Sequence, residues 1–277
     1  MNMVANILSI AGSDPSGGAG IQADLKAISA SHAYGMAVIT CLTAQNTKGV
    51  QESFPVPADF VAKQIQSLIE DIHIDAIKIG MLGTADIIEA VYKQIKDLTL
   101  PIILDPVMIS KSGHRLLQEK ALNVLKKKLL PLATILTPNL PEAADLLGQK
   151  EATSLEEAEA QGKSLLKFGP NAILMKGGHF EAQDSTDLLI TPSQTLAIPG
   201  KRWKTKNTHG TGCSLSAAIA SLLGQGKPLS EAVIQAKDWL NHAIQHADLL
   251  KIGQGCGPVH HFYALWEKDA RRIDDGA

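Results

Sequence analysis

Short apolar runs alternate along the chain with segments in which apolar residues recur every three or four positions. The runs occupy residues 7–11, 37–42, 76–79, 102–104, 134–136 and 172–175. Most are too short for helices and rich in Ile, Leu or Val, so they are predicted as strands buried on both faces, as in a parallel sheet. Between them, Ile21, Leu25 and Ile28 are spaced i, i+4, i+7. Val61, Ile65, Leu68, Ile69 and Ile72 repeat that spacing, as do Ile87, Ile88, Val91 and Ile95. These segments are predicted helices, each with one apolar face. Residues 186–190 and 194–199, joined around Pro192 and Ser193, read as a hairpin, and two helices close the chain. Such β–α alternation predicts an α/β fold with a central, mostly parallel sheet and helices on both faces. No repeat, linker or low-complexity segment interrupts it, so residues 1–277 are expected to form one domain.

Composition narrows the function classes. The 277 residues are 45% hydrophobic and 19% charged, which excludes a disordered chain or a coiled coil. Lys and Arg number 26 against 28 Asp and Glu, a net charge of -2, so nothing points to nucleic acid or an anionic membrane. A small anionic ligand stays possible, because one helix N-terminus holds a phosphate without net positive charge. The three cysteines, Cys41, Cys213 and Cys256, form no CxxC pair, which argues against a disulfide scaffold or zinc ribbon. No run has the ~18 apolar residues of a membrane helix. The first apolar run lacks a basic flank and meets Gly12-Ser13-Asp14-Pro15, unlike a signal peptide. A cytoplasmic protein is expected.

The unusual residues fall at the predicted carboxyl ends of strands, where ligands bind in open α/β sheets. These are Gly12-Ser13-Asp14, Gln45-Asn46, Gly80-Met81, Asp105-Pro106, Asn139 and Lys176-Gly177-Gly178. Residues 12–20 read GSDPSGGAG between a strand and a helix. They fit a relaxed dinucleotide fingerprint, but no acid for a ribose stands near the second strand's end. A glycine-rich turn, or a loop whose bare backbone approaches a small substrate, fits better. Residues 207–214 read NTHGTGCS before an amphipathic helix. Glycines there leave N–H groups for an anion hole; the simpler reading is a helix capped by Thr208 or Thr211. Asp105 and Glu142 are a candidate magnesium pair beside nucleotide phosphates. Asn139 and Glu142 equally spell a capping box. Lys176 is placed to reach phosphate oxygens, or to be a solvated lysine. His260-His261 has no third metal ligand, and His209 sits beside the anion loop without a clear role.

Together these segments resemble the bacterial hydroxymethylpyrimidine/phosphomethylpyrimidine kinases of thiamine biosynthesis, in the ribokinase superfamily. The matching stretches are IAGSDPSGGAGIQAD at 10–24, TAQNTKGV at 43–50, KIGM at 78–81, TPNLPE at 137–142, MKGGH at 175–179, NTHGTGC at 207–213 and GPVHH at 257–261. The resemblance implies a ribokinase-like fold and a two-step kinase. ATP would phosphorylate 4-amino-5-hydroxymethyl-2-methylpyrimidine, and a second ATP its monophosphate. By motif match, Gln45, Asp24, Gly12, Met81 and Val107 would bind the pyrimidine, and Asp105 and Glu142 would lie near Mg2+. Lys176 would meet the ATP phosphates, and Gly210, Thr211 and Gly212 would form the anion hole. A homodimer is implied as well.

Cys213 stands where sugar kinases of the superfamily carry an aspartate base. A thiol's ordinary pKa of ~8.5 would leave it neutral when a phosphate arrives, while the helix N-terminus would lower that value and give thiolate character when the alcohol is bound. The rivals are a pyridoxal kinase of the same fold and a binding protein that kept the fold without catalysis. Asp105, Lys176 and the loop at 210–213 are all present, which disfavours the second. Residues 110–117 form a candidate lid.

Overall fold

The computed structural model describes residues 4–108, 117, 119–179 and 184–266. Eight strands form one sheet: β1 (Asn6–Ala11), β2 (Tyr34–Ile39), β5 (Ala76–Ile79), β6 (Ile102–Leu104), β7 (Ile135–Leu136), β8 (Ile173–Met175), β9 (Asp187–Ile190) and β10 (Thr195–Ile198). Their spatial order is β10-β9-β8-β7-β6-β5-β1-β2. Pairing is parallel from β2 through β8, while β9 runs antiparallel to both β8 and β10. The expected hairpin is therefore present as β9–β10, at the sheet's edge.

Strand residues alternate between two buried faces. Leu8, Ile10, Ile77, Ile79, Leu104 and Ile173 pack against α2 (Ala58–Ile69), α3 (Ala85–Ile95), α4 (Glu119–Lys128), α5 (Leu140–Leu147) and α6 (Leu155–Leu166). On the opposite face Ile7, Ile103, Ile135, Leu174 and Leu189 meet α1 (Gly20–Ala30), α7 (Thr211–Gly224) and α8 (Leu229–Gln245). Burial of both faces is why the strands read as runs rather than as alternation.

The second strand differs from expectation. The apolar run at 37–42 straddles two elements: β2 ends at Ile39, and Cys41–Asn46 forms β3, paired antiparallel with β4 (Gly49–Pro55) in a separate ribbon. Gln45 therefore projects from this ribbon and not from the end of a central strand. Leu42 and Phe54 face each other across it and are exposed, so no core pattern marks the ribbon.

From β1 the chain moves out to β2 and then returns to β5 on the other side of β1. The order thus reverses at β1, and the crevice beyond its carboxyl end is where such sheets take ligands. Among the described residues no helix is long and apolar enough to cross a membrane. The candidate lid at 110–117, Leu117 apart, lies outside the described residues.

Candidate active site

A cavity of about 420 Å³ opens at the carboxyl ends of β1, β5, β6, β7 and β8, under the β3–β4 ribbon. Gly12, Gln45, Met81, Val107, Asp105, Glu142, Lys176 and residues 210–213 all line it. Sequence separation among them exceeds two hundred residues, and the parallel sheet aligns them because each strand ends on the same side.

One end of the cavity is apolar. An added Cβ at Gly12 would lie 2.7 Å from the Met81 methyl, so glycine there lets the end of the Met81 side chain lie against the backbone. Gln45 enters above, beside Thr43 and His209.

The other end is charged. Lys176 Nζ donates to Asp105 Oδ1 at 2.8 Å and lies 3.8 Å from Glu142 Oε2. Thr137 Oγ1 also donates to Asp105 Oδ1, at 3.1 Å. Desolvation pulls the Lys176 ammonium down, but Asp105 and Glu142 outweigh it, and the net shift is upward. Lys176 is charged and held in place; it is not a solvated lysine. Burial drives Glu142 up to about 7, against Lys176, which favours its ionised form. The capping box is formed as well: Asn139 N donates to Glu142 Oε2 and Glu142 N to Asn139 Oδ1, both at 2.8 Å. Glu142 therefore caps α5 and faces the cavity at once.

Helix α7 begins at the anion loop. Its N-cap is Gly210, with φ +75°, and no side chain caps it, contrary to the alternative of a threonine cap. A Cβ at Gly210 would meet the Gly18 carbonyl oxygen at 1.8 Å, so two glycine-rich loops interlock there. A Cβ at Gly212 would lie 3.2 Å from Lys176 Nζ, so this glycine lets the lysine approach the helix start. The first-turn N–H groups and the helix dipole then face the same space as the ammonium.

Two expectations need correction. Asp24 does not line the cavity. It is wholly buried in α1, where Lys78 Nζ bonds both its oxygens at 2.9 and 2.8 Å and Ser9 Oγ donates at 2.6 Å. A buried carboxylate needs a partner, and Lys78, also wholly buried, is that partner. Lys78 was visible in KIGM but has no local signal, since strand alternation places it inward like an apolar residue. Cys213 is the second, for its thiolate half only. Burial pushes its thiol up to about 11, despite the nearby Lys78 ammonium and the helix start, so it is neutral at pH 7. Asp14, marked in the sequence beside Gly12 and Ser13, lines the cavity and lies 2.8 Å from His209 Nε2.

A family model for phosphomethylpyrimidine kinase matches residues 14–260. The chain belongs to the phosphomethylpyrimidine kinase family. It is 50% identical over 262 residues to the hydroxymethylpyrimidine/phosphomethylpyrimidine kinase of Escherichia coli K12, covering 94% of this chain and 98% of that protein. The Salmonella typhimurium enzyme of the same name is 51% identical over the same length. Among solved structures, the ADP complex of Bacillus subtilis pyridoxal kinase superposes with a TM-score of 0.88 at 34% identity, covering 95% and 99% of the two chains. The phosphomethylpyrimidine kinase of Clostridium difficile 630 gives 0.77 at 41%, covering 87% and 99%. These neighbours bear out the ribokinase-like fold, and the kinase family is that of the resemblance.

Proposed function

We propose that this chain, as a phosphotransferase of its family, moves the γ-phosphoryl group of ATP onto the hydroxymethyl group of 4-amino-5-hydroxymethyl-2-methylpyrimidine. A second ATP then converts the monophosphate to the diphosphate. The observation that carries this reading is one cavity joining a carboxamide, an apolar wall and a fixed ammonium at an uncapped helix N-terminus.

Gln45 both donates and accepts, so it pairs with a ring nitrogen and an exocyclic amine. Met81 and Val107 wall the ring; a thioether contact with an aromatic ring is favourable. That grip turns the hydroxymethyl group toward Cys213 and the anion loop. Lys176 and the N–H groups of Gly210, Thr211 and Gly212 meet the oxygens on which charge grows during transfer. The neutral Cys213 thiol leaves room for an attacking group of either charge. Positioning and charge stabilisation carry the chemistry.

The donor set fits a magnesium ion. Mg2+ is held by one or two carboxylates, with waters and phosphates completing its octahedron. Asp105 and Glu142 supply two, and a buried carboxyl raised to about 7 is short of compensating positive charge. When bound, the ion would be held by Asp105 and Glu142 and would supply positive charge against the phosphates. The single-domain, homodimeric and cytoplasmic expectations stand as parts of this proposal.

Pyridoxal kinase is the second reading, favoured by the TM-score of 0.88 to the Bacillus subtilis enzyme. A coupled ADP-release assay with the pyrimidine alcohol, its monophosphate and pyridoxal decides. Turnover of both pyrimidines above pyridoxal is expected; pyridoxal as the best substrate overturns the assignment.

A further inference from the structure

His209 and Asp14 form a pair that the reaction scheme above leaves unused. His209 Nε2 lies 2.8 Å from Asp14 Oδ2, with both side chains largely enclosed at 13% and 4% exposure. Asp14 is anchored as well: Ala19 N donates to Oδ2 at 2.8 Å, while Ser16 N and Oγ donate to Oδ1 at 2.9 and 2.7 Å. The His209 ring is wedged against Gly18, where an added Cβ would lie 2.4 Å from its Cδ2. Its backbone N donates to Gly257 O at 2.9 Å. The pair is thus held from three chain segments.

Its orientation reaches Gln45. Burial raises the Asp14 carboxyl, but the bonds from His209 and Ser16 outweigh it and hold it below the usual range, so it is an anion. An anion at 2.8 Å requires a hydrogen on His209 Nε2, in the neutral tautomer or the imidazolium alike. Gln45 Nε2 lies 3.3 Å from that nitrogen, which sets two N–H donors face to face. At the other end of the amide, Thr43 Oγ1 lies 3.3 Å from Gln45 Oε1. The single Thr43 hydroxyl hydrogen is committed to Ser13 O at 2.8 Å, so that contact sets two acceptors together. Exchanging the amide oxygen and nitrogen, which leaves every heavy-atom position in place, removes both conflicts: the amide nitrogen donates to Thr43 Oγ1, and the amide oxygen shares the one His209 Nε2 hydrogen with Asp14 Oδ2, at 3.3 Å against 2.8 Å.

We propose that the Asp14–His209 pair is a positioning device that fixes the polarity of the Gln45 carboxamide, with its oxygen toward His209 and its nitrogen toward Thr43. The inference rests on the reading of Gln45 as the pyrimidine's partner. Each end of the amide then has one remaining valence for substrate. The oxygen takes a second donor and the nitrogen gives its second hydrogen. The site selects a ring that offers a donor on the His209 side and an acceptor on the Thr43 side. An exocyclic amine next to an unprotonated ring nitrogen has that pattern. An oxo group next to a ring N–H has the reverse, so it meets donor with donor and acceptor with acceptor.

The experiment compares kcat/KM for the 4-amino pyrimidine alcohol and its 4-oxo analogue, using wild type, Asp14→Asn, His209→Ala and Gln45→Leu. Thermal melts and the KM for ATP report whether each variant is folded and binds nucleotide. Asp14→Asn removes the anion that requires a hydrogen on His209 Nε2, which frees the ring to take the tautomer with a bare Nε2 and the Gln45 amide to turn round. The expected result is a preference for the amino substrate that falls by about tenfold to a hundredfold in Asp14→Asn and His209→Ala, with the ATP KM retained. A preference unchanged in both, yet lost in Gln45→Leu, overturns the positioning role and leaves the Gln45 reading standing. A preference unchanged in Gln45→Leu overturns that reading and the proposal with it. Should His209→Ala melt at assay temperature, Asp14→Asn and the smaller change His209→Asn decide alone.

Discussion

Lys176 Nζ lies 2.8 Å from Asp105 Oδ1, although 71 residues separate them in the chain. The lysine leaves β8 and the aspartate leaves β6, two strands apart in one parallel sheet. This contact places the ammonium where the α7 N-terminus begins, and it ties the proposed catalytic charge to stability at one point.

Lys176→Ala is therefore expected to act twice. Phosphoryl transfer slows while pyrimidine affinity stays nearly intact, because the charge serves oxygens that develop charge in the transition state. The variant also loses about 3 kcal/mol of stability, since Asp105 and Glu142 are left without their cation. Rapid-quench rates and urea melts measure the two effects. Parent-like transfer rates would remove Lys176 from the chemistry.

Glu142 gives a pH-dependent stability. Its folded value of about 7 lies above its ordinary 4.5. The folded chain thus keeps a proton between about pH 4.5 and 7 that the unfolded chain gives up, and this group makes stability fall as pH rises through that window. Glu142→Gln keeps an acceptor for the capping box and has nothing to titrate. Relative to wild type it should gain stability from pH 5 to pH 8, by at most about 3 kcal/mol. Urea midpoints across that range test this; a constant difference between the two proteins contradicts it.

The buried pair of Asp24 and Lys78 predicts a structural phenotype. Asp24→Ala leaves an uncompensated ammonium at a site with no exposure, and should cost about 3–5 kcal/mol. The double variant Asp24→Leu, Lys78→Met should recover most of that loss. Chemical denaturation of the single and double variants is the measurement. A stable Asp24→Ala with a raised pyrimidine KM would restore Asp24 as a substrate contact.

Cys213 bears on how one site performs both steps. The first step attacks with an alcohol and the second with a phosphate oxygen that is already anionic. A thiol at about 11 presents no charge to either. An aspartate at this position would repel the incoming monophosphate: two like charges ~4 Å apart cost about 4 kcal/mol at an effective dielectric of ~20. Half of that is roughly thirtyfold in rate. Cys213→Asp should keep appreciable alcohol kinase activity and selectively lose monophosphate kinase activity. Both rates, taken under identical ATP and magnesium, check it, and equal proportional loss in the two steps refutes the charge argument.

Local rules carried the fold a long way. Runs such as 7–11 and 76–79 are legible as doubly buried strands because every residue of them is buried, and the helices of α2 and α3 because one face is. The Asn139–Glu142 capping box is legible for the same reason, since both partners lie within one turn. The motif set also placed Gln45, Lys176, Asp105 and the loop at 210–213 in one site. What only the tertiary structure decided are properties that depend on distant neighbours. Asp24 looks like a polar contact in sequence and becomes a core ion because Lys78, 54 residues away, faces it. Gln45 looks like a strand end and instead hangs from a ribbon that, with Leu42 and Phe54 exposed, carries no core pattern to mark it. The helix start beside Cys213 argues for a low pKa, yet desolvation wins, and desolvation is set by everything packed around the thiol. Hydrophobic period and capping are written within a few residues, whereas charge state and pairing are fixed by which strands and loops the fold brings together.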